Sequence, residues 1–91
     1  MDYKVTIETG EYLEDGTPLV RSLQINGRIT TSTGDPVGDA AIRIIEPYIN
    51  DIGEGRSNGD GTFSIRVGDD TAHQVWVNGV MAQMVKVLTK G

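Results

Sequence analysis

The chain has 91 residues, enough for one domain with a single modest core and little beyond it. Eight Lys and Arg against 13 Asp and Glu leave a formal net charge of −5. No basic cluster interrupts that balance, which excludes a phosphate backbone as partner. With no cysteine and a single histidine, a disulfide framework, thiolate chemistry and a His-rich metal site are excluded as well.

The start, Met1-Asp2-Tyr3-Lys4-Val5, has no basic region before an apolar run, and no apolar run nears the roughly 20 residues of a membrane span. The expectation is a whole translation product made in the cytoplasm without a signal peptide, with no membrane partner. It would be located in the virion if its source is a phage.

In chain order, Tyr3, Val5 and Ile7 alternate with Lys4, Thr6 and Glu8, the period of a half-buried strand. Glu14-Asp15-Gly16 predicts a turn that folds residues 3–9 back onto residues 18–24 as a hairpin. Leu23, Ile25 and Ile29 then alternate with Gln24, Asn26 and Arg28, and Gly34-Asp35-Pro36 closes that strand with a turn. Ala40, Ile42 and Ile44 mark the next strand. Residues 47–57 lack alternation and read as the longest loop, the kind of segment that carries binding on rigid scaffolds. Asn58-Gly59-Asp60-Gly61 predicts a hairpin turn into Phe63, Ile65 and Val67. His73, near Asp69, Asp70 and Thr71, reads as a turn or strand-edge residue. Val75-Trp76-Val77 is a strand that sets Trp76 opposite its valine neighbours, so Trp76 is either an exposed anchor for a partner or a sugar ring, or core with the valines facing the second sheet or a covering segment. Asn78-Gly79 is a second hairpin signal, and residues 80–88 form a buried strand in which Met81 and Met84 are core or interface filler.

Short strands at about 8–12-residue spacing predict an all-β fold, a small antiparallel β-sandwich of about seven strands. The whole chain, 1–91, is one domain, with an N-terminal hairpin or arm over 1–22 and the sandwich core over 23–91.

A more specific pattern runs through the sandwich. Ile25-Asn26-Gly27-Arg28-Ile29 is followed by Gly34-Asp35-Pro36-Val37, by Ala40-Ala41-Ile42-Arg43-Ile44, and by Ser57-Asn58-Gly59-Asp60-Gly61-Thr62-Phe63. Over residues 25–88 this resembles the carboxypeptidase regulatory-like, or prealbumin-like, sandwich, an immunoglobulin-like architecture. The resemblance implies a fold and leaves function open, since such domains serve as peptidase accessories, adhesion and stalk modules, and pieces of virus particles.

The polar groups give no reactive centre. The stretch from Arg56 to Gly61 has the look of a calcium loop, but Arg56 stands at the leading ligand position and Val67 at the closing one. His73 has no serine in a nucleophile-elbow setting to serve, and the carboxylates are scattered through turns. Adhesin sandwiches with an isopeptide bond between Lys and Asn beside a buried Glu suggest Lys4, Asn78 and Glu46. Lys4, however, lies outside the matching pattern, and Asn78 is explained by its turn.

The expectation is therefore a non-enzymatic protein with no cofactor and no metal. It would be a structural, protein-binding subunit, a decoration or accessory protein of a large assembly such as a phage particle. Its partners would be protein subunits of that assembly, with homo-oligomerisation open. The alternative is a carbohydrate- or peptide-binding accessory module of a bacterial surface or secreted protein. Candidate partner-binding residues are Tyr3, Val5 and Ile7 on the N-terminal segment, Tyr48, Ile49 and Ile52 in the 47–57 loop, and Trp76.

Overall fold

The computed structural model describes residues 2–48 and 51–89, apart from the side chain of Asp51. These residues form nine strands and no helix. They are β1 (Tyr3–Ile7), β2 (Glu11–Tyr12), β3 (Pro18–Val20), β4 (Gln24–Thr31), β5 (Ala41–Glu46), β6 (Asp51–Arg56), β7 (Thr62–Arg66), β8 (Ala72–Val77) and β9 (Val80–Val87). A three-stranded sheet, β1-β4-β7, faces a six-stranded sheet, β2-β3-β9-β8-β5-β6. The all-β sandwich expected from the alternation is the fold observed.

The core follows from period-2 alternation on both sheets. Val5 and Ile7 of β1, Ile25 and Ile29 of β4, and Phe63 and Ile65 of β7 point inward from one side. Ile42 and Ile44 of β5, Val75 and Val77 of β8, and Val85 and Val87 of β9 meet them from the other.

One turn geometry recurs three times. In Leu13–Gly16, Thr31–Gly34 and Asn58–Gly61 the fourth residue's N–H donates to the first carbonyl at 2.9–3.0 Å. The first N–H in turn donates to the fifth carbonyl at 2.8 Å. Each fourth residue is a glycine with φ of +85° to +92°, where a Cβ would be strained. The positive φ of the Asn58–Gly61 turn thus falls on Gly61. Asn78 and Gly79, at φ +49° and +82°, make the two-residue turn expected of Asn-Gly.

Four expectations are corrected. Residues 3–9 do not form a hairpin with 18–24. Instead β1 pairs with β4, placing Val5 opposite Ile29 and Ile7 opposite Gly27, and there its apolar face is buried. The Gly16 turn joins the short strands β2 and β3, and β3 runs parallel to β9, so the larger sheet is mixed. Most of the 47–57 segment is a strand, β6, paired with β5 along its whole length. Its inward positions are Gly53 and Gly55 because a Cβ on Gly53 would lie 2.7 Å from Ile65 Cγ2 and 2.8 Å from the Arg66 carbonyl. The two sheets close on each other there. Finally, His73 is fully enclosed, on the same inward side of β8 as Val75 and Val77.

Candidate functional site

A sandwich offers two outward faces, and here they differ in chemistry. The outward positions of the three-stranded sheet are Lys4 and Thr6 on β1, Gln24, Asn26, Arg28 and Thr30 on β4, and Thr62, Ser64 and Arg66 on β7. All are polar. The larger sheet instead presents two cross-strand rows over β6, β5, β8 and β9. One is Ile52–Ile45–Gln74–Met84, and the other is Glu54–Arg43–Trp76–Met81. Ile52 is 44% exposed and Met81 45%, while Ile45, Trp76 and Met84 are half-buried.

A bulge makes this face. The β8–β9 register shifts between Val75 and Trp76, which pair with Gln83 and Met81 respectively and leave Ala82 unpaired. In a regular strand Met81 and Met84, three apart, would point to opposite sides. The extra residue turns both outward.

Within the second row, Trp76 Nε1 donates to Gln74 Oε1 at 3.1 Å, which ties the indole to its own strand. Arg43 sits directly across. Its Nε lies 3.6 Å from Glu54 Oε1, with both side chains more than half exposed, a separation too long for a hydrogen bond. Arg43, Ile45, Trp76 and Gly79 line a shallow depression of about 250 Å³.

At one end of this face the β5–β6 hairpin carries Tyr48, 87% exposed. Its backbone N–H donates at 2.9 Å to Oε1 of Glu46, a carboxylate that is itself 1% exposed. A buried acid therefore holds the backbone of Tyr48.

The expected binding residues divide sharply. Trp76 and Ile52 lie together on the outward face, and Tyr48 projects at its end. Ile49 lies outside the described residues. Val5 and Ile7 are 7% and 4% exposed, so their side chains serve the chain's own core and are withdrawn from any partner. Tyr3 packs against that core, and its hydroxyl accepts a hydrogen bond from Asn78 Nδ2 at 3.0 Å. Arg43 and Ile45 were not singled out for binding, and Met81 and Met84 were read as core or interface filler. Ile44-Ile45 did carry a signal, since two adjacent isoleucines on a strand must face opposite ways.

The remaining polar groups are engaged structurally. Asp60 accepts from both the N–H and the hydroxyl of Thr62, at 3.0 and 2.6 Å, so the calcium-like stretch caps its own turn. Ser57 donates to the Val37 carbonyl and accepts from Ala40 N–H. Lys4 points outward while Glu46 is enclosed, and Asn78 is held by Ala41 N–H and Tyr3. The isopeptide residues are not brought together. Enclosed His73 has no route to a substrate in solvent. Among the described residues no group of three His, Asp or Glu is placed to hold a metal ion.

Searched against protein-family models, curated proteins and solved structures, the chain matches none of them. The resemblance over residues 25–88 rests on the motifs quoted for it.

Proposed function

We propose that this protein is a non-catalytic subunit that binds other protein subunits of a larger assembly, such as a phage particle, through the outward face of its six-stranded sheet. One observation carries the reading. Among the described residues, only this one of the two outward faces presents apolar side chains, with Ile45, Ile52, Trp76, Met81 and Met84 arranged in adjoining cross-strand rows. A contiguous exposed apolar patch marks an interaction surface more often than solvent decoration does. Trp and Arg are the residue types that anchor protein interfaces, and here they stand opposite each other. Tyr48 extends the surface at one end.

Co-sedimentation of the purified chain with particles from its source tests the proposal. The wild type should pellet with them. Trp76→Ala and Ile52→Glu should each weaken binding by about tenfold or more, as expected for hot-spot residues, with unchanged circular dichroism. Wild-type binding that both variants retain would sink the proposal. A glycan-array signal lost in Trp76→Ala, without particle binding, would replace it with the carbohydrate-module reading.

A further inference from the structure

We infer that the depression beside Trp76 accepts an apolar side chain flanked by carboxylates on the partner protein; this rests on the docking reading above and names the partner's chemistry. The depression, about 250 Å³, is smaller than the roughly 300–1,000 Å³ of small-molecule sites. It suits one side chain presented by a larger body. Trp76 and Ile45 supply its apolar wall.

Charge selects what surrounds that side chain. On a chain of net charge −5, the described outward side chains of β5, β6, β8 and β9 carry Arg43, Arg56 and Lys86 against Glu54 alone. Arg56 is already engaged by Asp39, through the carbonyl at 2.9 Å and the carboxylate at 3.4 Å. Among the described residues Arg43 has only the loose contact with Glu54. Its guanidinium is a planar fork suited to bidentate pairing with a carboxylate, and it borders the depression. Lys86 continues the positive charge along β9, beyond Met84. An apolar residue entering beside Trp76 would bring its neighbours within reach of Arg43, and acidic neighbours would be favoured over neutral ones.

Trp76 is the chain's only tryptophan, so its fluorescence reports on the depression directly. The probe is a blocked hexapeptide alternating aspartate with leucine and phenylalanine, compared with the same peptide carrying asparagine for aspartate. The acidic peptide should bind about fivefold more tightly, the scale of one exposed ion pair at up to about 1 kcal/mol. That preference should vanish in Arg43→Gln, and at about 1 M salt, where the Debye length is about 3 Å. Equal affinities, or no fluorescence response to either peptide, would overturn the inference. So would tighter binding of a uronic-acid oligosaccharide. If the peptides fail while particle binding still depends on Trp76, the docking reading stands and the acidic-partner inference alone falls.

Discussion

The ring of Phe63 lies over Gly27, its cross-strand partner, so closely that a Cβ on Gly27 would sit 2.7 Å from Phe63 Cζ. The glycine is therefore part of the aromatic's packing site. Phe63→Ala should cost about 3–5 kcal/mol as a core deletion, and Gly27→Ala about 1–3 kcal/mol as overpacking. The two should couple: with Phe63 truncated, Gly27→Ala should cost less. Some cost should persist, because the Thr6 carbonyl also lies 2.8 Å from the added carbon. Urea titration of both single variants and the double variant checks this, and simple additivity would contradict it.

A second close approach tests how the sheets meet. Gly53→Val would drive a branched side chain against Ile65 and the Arg66 carbonyl on the opposite sheet. Despite valine's better strand propensity, the variant should lose about 1–3 kcal/mol. Ile52→Val on the same strand, with its side chain outward, should change stability by less than about 0.5 kcal/mol. A stabilised Gly53→Val would mean the edges are open there.

These glycines also explain where the sequence was and was not readable. The strands with alternating apolar residues, around Ile25, Ile42 and Phe63, were legible because each carries its own side chains to the core. β6 was not, because its inward positions are bare so that the backbone of the opposite sheet can come close. An alternation of glycine with Ile52, Glu54 and Arg56 looks like a loop until the opposing strand is known. His73 was misjudged for another reason. It continues an inward series with Val75 and Val77, and polarity outweighed period. For the candidate site, it was legible that Trp76 faces away from Val75 and Val77, but not which of the two sides is the core. Met81 and Met84 were not, since a bulge sets their common face.

His73 makes a sharper stability test. Its Nδ1 lies 2.9 Å from the Thr71 carbonyl, which can only accept, so Nδ1 carries the hydrogen. Nε2 is buried with no hydrogen-bond partner among the described residues, a condition that costs roughly 1–3 kcal/mol. The Thr71 carbonyl also receives the Val87 N–H at 3.0 Å, so it stays satisfied if the imidazole is removed. His73→Leu, of similar volume, should therefore keep or raise the midpoint of thermal unfolding, by about 4–8 °C per kcal/mol gained. His73→Ala should lower it by leaving a cavity. A clear fall in His73→Leu would reveal a role for the ring beyond filling space.

Acid stability should rest on turn carboxylates. The Thr62 hydroxyl, then its N–H, holds Asp60 below the ordinary aspartate value of 3.8. Asp15 is lowered first by the Thr17 N–H and then by its side chain. Glu11 is lowered from 4.5 by its hydrogen bonds with Arg21. Each folded value lies below the unfolded one, so each contribution is complete above the unfolded value and is lost as pH falls through the folded one. Stability should be insensitive to these groups above about pH 5 and decline below about pH 4. The double variant Asp15→Asn, Asp60→Asn should show a shallower decline in thermal midpoint between pH 5 and pH 2. An unchanged slope would place acid sensitivity elsewhere.

The N-terminal segment gives the most consequential test, because an attachment arm and a sandwich strand predict opposite results. β1 contributes Val5 and Ile7 to the core and pairs with β4 from Tyr3 opposite Thr31 to Ile7 opposite Gly27. Burying two such side chains is worth about 3–6 kcal/mol, against about 5–15 kcal/mol for a whole domain. Deleting residues 1–9 would also uncover Ile29, which Val5 opposes, and leave one edge of β4 unpaired. The truncated chain should lose its cooperative urea transition and near-ultraviolet signal, whereas Lys4→Ala and Thr6→Ala, on the outward side, should melt like the wild type. If the truncation instead kept a sharp transition, β1 would be a detachable strand. The exposed edge of β4 would then become a second place for another chain to pair.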